Sequence, residues 1–420
     1  MAWTSATLGE ICDRVGGIIQ TGPFGSQLHQ SDYSEDGIPV VMPKDIIEGR
    51  IVTDGIACVA SEHVERLSRH KLKAGDIVYG RRGDIGRQAL IRQRQAGWLC
   101  GTGCLRLNLG NSIIDPIYLH YYLREPDVIG LIANQAIGAT LPNLNTSILR
   151  SVPIRFPHLP TQQKIAAVLS AYDDLIENNL RRIKILEEMA QNLYREWFVK
   201  FRFPGHEKAR FVDSPLGRIP EGWENVSLGK LTELRKDKFK ENLHLEWPLL
   251  DLAKMQQRTL SVSETGNPSE LTTSRIIFEE DDILFGSIRP YLHKVALAPC
   301  RGVTNISVLV IRPAEKNLQS ILAVLLSSID TIRWADQHST GTKMPVIKWE
   351  TFQTMPTILP SQQILRDFET YVHPMMQTVK MASSRNQNLR RTRDLLLPKL
   401  ISGEVDVSEL DITVPEETQA

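Results

Sequence analysis

The chain lacks any apolar run near the ~20 residues that a membrane span needs; the stretch Ile321–Leu326 is far too short. Its first residues, Met1-Ala2-Trp3-Thr4, show no basic region followed by an apolar one, so no secretory signal is expected and the expected location is cytoplasmic. Cysteine is scarce: Cys12, Cys58, Cys100, Cys104 and Cys300 are odd in number and irregularly spaced, as reduced thiols are. Cys100 and Cys104 flank Gly-Thr-Gly, which is not the gap of a zinc knuckle, so core thiols and no metal are expected. Net charge is absent too, with 49 Lys+Arg against 49 Asp+Glu. A nucleic-acid binder with that balance has to segregate its charge instead of accumulating it.

Catalytic motifs are also missing. There is no Gly-x-x-x-x-Gly-Lys-Ser/Thr loop to cradle nucleotide phosphates, and no Gly-x-Gly-x-x-Gly between a strand and a helix. Gly80-Arg-Arg-Gly83-Asp-Ile-Gly86 is rich in glycine but carries arginines at a different spacing. No Asn/Asp-Pro-Pro-aromatic segment, His-Glu-x-x-His or Gly-x-Ser-x-Gly occurs. A self-contained DNA enzyme would have to assemble its site from scattered acids, and that is the alternative reading.

What is present is a repeat. Trp3…Leu8-Gly9 matches Trp223…Leu228-Gly229, and Asp76-Ile-Val-Tyr-Gly80 matches Asp282-Ile-Leu-Phe-Gly286. Gly138…Pro142 matches Gly341…Pro345, and Leu159-Pro-Thr-Gln-Gln163 matches Leu359-Pro-Ser-Gln-Gln363. Four matches in the same order mark a duplicated half-chain. Each half opens with short β-branched runs bounded by Gly, Pro or Asp, mixed with helical stretches, which gives the fold class α+β.

A long helix closes each half, with Thr161 and Ser361 as expected N-caps. Ile165, Leu169, Tyr172, Ile176, Asn179, Ile183, Leu186, Ala190, Leu193 and Trp197 recur in steps of four and three. Leu365, Phe368, Val372, Met375, Val379, Ala382, Asn386, Leu389, Arg393 and Leu396 follow the same rhythm. A seam of about five heptads must be buried, and the two helices can bury each other as an intramolecular antiparallel coiled coil. Asn179 and Asn386 would then set its register, and His373-Pro374 would bend the second helix. The expected organisation is a globular domain over 1–159, a helix over 160–201, a polar linker over 202–222, a second domain over 223–359, a second helix over 360–403 and an acidic, frayed tail over 404–420. A helix from Gln162 to Lys200 would span ~58 Å at 1.5 Å per residue.

Charge is segregated inside the first half. Residues 10–65 are acidic in balance, whereas residues 66–94 carry nine Lys and Arg against Asp76 and Asp84. Such a stripe suits a phosphate-binding face, and Arg81, Arg82 and Arg87 follow a strand, where a planar guanidinium fork can hold phosphate or read guanine. In the second half the candidates are Arg289, Tyr291 and Lys294 at the equivalent place, Lys343, and the cluster Arg235–Lys240. Arg390 and Arg391, near the end of the second helix, could face phosphates or a partner's acids.

Four segments resemble the specificity subunit of type I restriction–modification systems: Gln20-Thr-Gly-Pro-Phe-Gly-Ser-Gln-Leu28, Tyr194-Arg-Glu-Trp-Phe-Val-Lys-Phe-Arg-Phe-Pro-Gly205, Asp282-Ile-Leu-Phe with Arg289-Pro-Tyr-Leu, and Leu395-Leu-Leu-Pro-Lys-Leu-Ile-Ser-Gly-Glu404. Thr161-Gln162 and Ser361-Gln362 depart from the acidic Glu-Gln more usual there. The resemblance implies two target recognition domains, each reading half of a bipartite, asymmetric site in double-stranded DNA, with the helices as a spacer. It implies two modification subunits bearing S-adenosylmethionine chemistry and two restriction subunits using ATP and Mg²⁺, with no cofactor and no catalysis on this chain and no membrane. Under it the DNA contacts also include Gln20, Thr21 and Lys44, and the partner contacts are Tyr194, Trp197, Phe198, Arg390 and Arg391. A coiled-coil scaffold that does not read DNA is the third reading.

Overall fold

Trp-x-x-x-x-Leu-Gly recurs because both copies solve the same packing problem. In a computed structural model describing residues 3–83, 85–136, 143–238, 247–270 and 275–415, Leu8 donates its N–H to Val152 O and Leu228 donates to Met355 O, both at 2.9 Å. A Cβ on Gly9 would lie 3.0 Å from Arg150 O, and one on Gly229 would lie 3.2 Å from Gln353 O, so glycine permits the close approach. The two copies belong to separate units, Met1–Asp173 with Arg391–Ala420, and Asp174–Arg390.

In the first unit, strand Thr4–Thr7 pairs antiparallel with Pro153–Phe156. Helix Leu8–Val15 follows, closed by a Thr7/Glu10 capping box and by left-handed Gly16. The central sheet has the order Ile18–Thr21, Cys104–Asn108, Ile77–Gly80, Gln88–Leu90. Its strands Ile77–Gly80 and Gln88–Leu90 are buried on both faces, whereas the edge strand Ile18–Thr21 is partly exposed. Ile77, Tyr79, Leu105 and Leu107 face a core shared with Tyr118, Leu149 and Ile165. Val78, Ala89 and Cys104 face a second cluster with Val41, Ile46 and Cys100. Cys100 and Cys104 are thus core thiols, and burial pushes Cys100 up to about 12.

The second unit repeats this plan. Glu224–Ser227 pairs with Pro356–Leu359, and the sheet order is Thr232–Arg235, Val308–Pro313, Ile283–Gly286, Val295–Leu297. Ile283, Phe285 and Ile311 face one core, while Leu284, Val308 and Val310 face the other. The fold class is α+β, as the sequence indicates.

The long helices are Leu159–Tyr194, followed by a π-helical turn Arg195–Val199, and Gln362–Ser402. In the second unit Ile183 packs on Val379 and Ala382, and Asn386 donates to Ile176 O at 3.3 Å, so residue numbers rise along one helix as they fall along the other. In the first unit Ile165 and Leu169 share a core with Leu397, Leu400 and Ile401. Four details differ from expectation. The first helix starts at Leu159, which places Thr161 inside it, whereas Ser361 does immediately precede its helix. The second helix runs unbroken through Pro374, which sits on an exposed face. The stretch expected as a polar linker folds into a hairpin, Phe211–Ser214 with Gly217–Pro220, because Phe203, Ile219 and Trp223 enter the second core. The tail docks on the first unit: Lys164 Nζ donates to Ser408 O and Leu410 O, Val407 is buried and Ile412 packs on the first core. Gly138–Pro142, Asp84, Phe239, Lys240 and residues 416–420 lie outside the described residues.

Candidate nucleic-acid interface

Strand polarity collects the candidate residues of each unit at one end of its sheet. In the first unit Thr21, Leu105, Tyr79 and Gln88 form one cross-strand row. Beyond that row emerge the segments starting at Gly22 and at Gly80, and those ending at Gly103 and Arg87. Pro43 packs within 3.5 Å of the Cβ positions of Gly80 and Gly103, bringing exposed Lys44 to the same end. Gly22 allows this crowding, since a Cβ there would lie 2.1 Å from Gly101 O. The loop after the strand is tied down by Arg81, whose N–H donates to Gly103 O, whose carbonyl accepts from Leu144 N–H, and whose Nε donates to Leu144 O at 3.2 Å. Arg81 therefore serves the loop's shape, while Arg82 and Arg87 are exposed.

The second unit builds the same end with other side chains. Arg289 N–H donates to Pro345 O at 2.7 Å, and an Ile288–Val346 bridge stands where the first unit has Arg82–Asn143. Arg289 and His293 hold left-handed φ values of 50° and 52°, which fold Pro290–Leu292 into a tight turn. Tyr291 is 52% exposed, so it is no core tyrosine, and Arg289, Lys343 and Met344 are exposed beside it. Lys294 Nζ is committed to Leu252 O. Arg235 pairs with Asp237 and Glu233.

Both sheets are braced by one device that motif reasoning missed. Arg106 Nε meets Asp76 Oδ2 at 2.6 Å, and Arg312 Nε meets Asp282 Oδ1 at 2.7 Å, each with a second guanidinium contact. The aspartates also accept backbone N–H groups, from Lys73 and from Glu279. A repeated Asp-Ile before a strand, with an Arg in the neighbouring strand, was the available signal.

The remaining candidates fall elsewhere. The Gln20 side chain turns to the opposite sheet face from Thr21 and donates to Arg69 O at 2.6 Å. Trp197 and Phe198 are buried, packed on Phe368, so the side chains expected to meet a partner fill the second unit's own core. Tyr194 lines a cavity of about 830 Å³ in that unit. Arg390 reaches Ser263 O at 3.5 Å in the second unit, and Arg391, in the first, is exposed. The exposed apolar residues of the two long helices within the second unit include instead Leu175, Ile185, Met189, Tyr371 and Met381. Among the described residues no group of His, Cys, Asp and Glu could hold a metal, and no helix is long and apolar enough to cross a membrane.

Comparison with known proteins agrees with this geometry. The type I restriction modification DNA specificity domain matches residues 2–188, which is the first repeat and most of its helix. The type I restriction enzyme MjaIX specificity subunit of Methanocaldococcus jannaschii is 26% identical over 90% of this chain and 89% of its own length. The HindI specificity subunit of Haemophilus influenzae is 22% identical over 80% and 88%. The crystal structure of the type I restriction-modification S subunit from M. genitalium shares the fold, with a TM-score of 0.57 and 16% identity over 95% of this chain and 96% of that one. The chain thus matches the type I restriction modification DNA specificity domain over its first repeat and is similar, along most of its length, to specificity subunits of type I restriction enzymes.

Proposed function

We propose that each unit reads one half of a bipartite, asymmetric site in double-stranded DNA through the loop-bearing end of its sheet. The observation that carries this is the duplication itself: one scaffold, with the same strand order and the same Asp–Arg brace, presents Arg82 and Arg87 in one copy and Arg289, Tyr291 and Lys343 in the other. Equal scaffolds with unequal tips suit two different half-sites. Phosphate contacts supply affinity and side chains at base edges supply the code. Exchanging residues 223–359 for those of another specificity subunit is expected to change one half of the methylated motif in the host genome and leave the other intact. A motif changed in both halves, or in neither, refutes the reading.

The paired helices act as the spacer, and a four-residue insertion near Arg181, matched in the second helix, changes the gap and not the half-sites. Two modification subunits dock on the exposed faces of these helices and two restriction subunits join them. S-adenosylmethionine, ATP and Mg²⁺ belong to those partners, in the cytoplasm. The chain alone, given DNA, Mg²⁺ and S-adenosylmethionine, neither methylates nor cleaves; turnover would favour the self-contained enzyme.

A further inference from the structure

The basic stripe of the first unit is only partly used by the loop end, and its other part builds a groove. Residues 69–73 alternate strictly: His70 and Leu72 are buried, while Arg69, Lys71 and Lys73 are exposed. Arg69 sits in a 3-10 turn, Ser68–His70, after which Lys71 forms a bridge with Leu99 and Leu72 donates to Trp98 O at 2.7 Å, so the segment is anchored. All three cations line one cavity of about 550 Å³, which Gln20, Gly97 and Arg106 also line. No acid lines it, and none of the three cations forms an ion pair among the described residues. Arg106 is already neutralised by Asp76 behind the wall. Arg69 is oriented from below: its Nε donates to His70 Nε2 at 2.9 Å, which leaves its terminal nitrogens directed to other partners. Burial, then Arg69 and Arg106, hold His70 down at about 4, so the ring stays neutral and able to accept that bond.

We propose that the groove of Arg69, Lys71 and Lys73 is a DNA-backbone site, distinct from the loop end, that holds consecutive phosphates and carries no sequence information. The proposal rests on the DNA-reading function above. Three like charges lining one groove without counter-charges cost the fold self-repulsion, and a polyanion that runs along the groove relieves it. A single phosphate or a scattered set of carboxylates would engage only part of the groove.

The test is equilibrium binding of the full chain to two duplexes, one carrying the motif methylated in the host genome and one scrambled, across 50 to 200 mM salt. Each phosphate contact contributes about 0.9 to the slope of log K against log salt. Arg69→Ala/Lys71→Ala/Lys73→Ala is expected to lower that slope by about 2.7 and to weaken both duplexes by the same factor. Lys71→Arg/Lys73→Arg is expected to keep the slope, which separates lost charge from lost fold. An unchanged slope in the triple variant overturns the proposal, as does loss confined to the motif duplex. Lost assembly with partner subunits at undiminished DNA binding would also overturn it, by assigning the groove to an acidic protein. A wild-type chain that binds neither duplex overturns the DNA-reading function itself.

Discussion

Asn179 donates its side-chain N–H to the side-chain carbonyl of Asn386 at 2.8 Å, on the seam where the two long helices meet in the second unit. Asn386 is almost fully buried. A polar pair inside an apolar seam costs stability and penalises any register that separates its members. Asn386→Leu alone orphans Asn179 and is expected to lower stability by about 1–3 kcal/mol. Asn179→Leu/Asn386→Leu is expected to recover most of that loss, read as strong coupling in urea unfolding. Simple addition of the two single effects would show that the pair does not act as a unit.

The two Asp–Arg braces differ in burial. Arg106 and Asp76 are nearly inaccessible, whereas a third of the Arg312 side chain meets solvent. Asp76→Ala leaves a buried guanidinium unpaired and is expected to cost about 3–5 kcal/mol. Asp282→Ala is expected to cost less, because water partly replaces the carboxylate. Equal losses in denaturant titrations would contradict this ordering.

Two helix carboxylates give opposite pH dependences. Burial lifts Glu187 to about 7, against the pull of the Thr259 hydroxyl and the Leu260 N–H. Its protonated form is favoured by folding, so its contribution is full below its unfolded value near 4.5 and is lost as pH rises towards 7. Asp173 would be raised by burial, but Arg124, Arg393 and the Tyr121 hydroxyl outweigh that and pull it to about 2. Its contribution is present above 3.8 and disappears as pH falls through about 2. Glu187→Gln is expected to flatten the stability profile between pH 4.5 and 7, and Asp173→Asn to flatten only the acid limb. Profiles that match the wild type would refute both assignments.

At the loop ends, Arg82→Ala and Arg289→Ala are each expected to relax discrimination in one half-site by about 1–3 kcal/mol per base pair read. The effects should be independent, as they arise in separate units. Competition binding against single-base variants of the motif measures them, and relaxation of both halves by one substitution would sink the scheme.

Trp197 and Ile185 separate packing from docking. Trp197→Ala removes a ring from the second core and is expected to cost about 3–5 kcal/mol in unfolding. Ile185→Asp, on an exposed position, is expected to spare the fold and abolish co-purification with a modification subunit. Retained assembly in the Ile185 variant would move the docking surface elsewhere.

Much of the fold was legible in the chain. The repeat of Leu8-Gly9 in Leu228-Gly229 and of Asp76 in Asp282 marks residues that meet backbone or buried charge, where few alternatives fit. The seam through Ile176, Asn179 and Ile183 was legible because a 3.5-residue period has one solution, a buried helical stripe. The docked tail and the hairpin at 211–220 were not, since polar, Pro- and Gly-rich sequence looks the same whether or not its few apolar residues find a core.

The sequence by itself determined the duplication, the paired helices and the absence of motif-borne catalysis. These are properties of order, period and residue type, which need no knowledge of distant neighbours. Only the tertiary structure decided that Arg81 and Lys294 are tied to carbonyls, that Trp197 and Phe198 are core, and that Arg69, Lys71 and Lys73 line one groove. A side chain's exposure depends on which remote segment packs over it, and strand pairing across dozens of residues settles that.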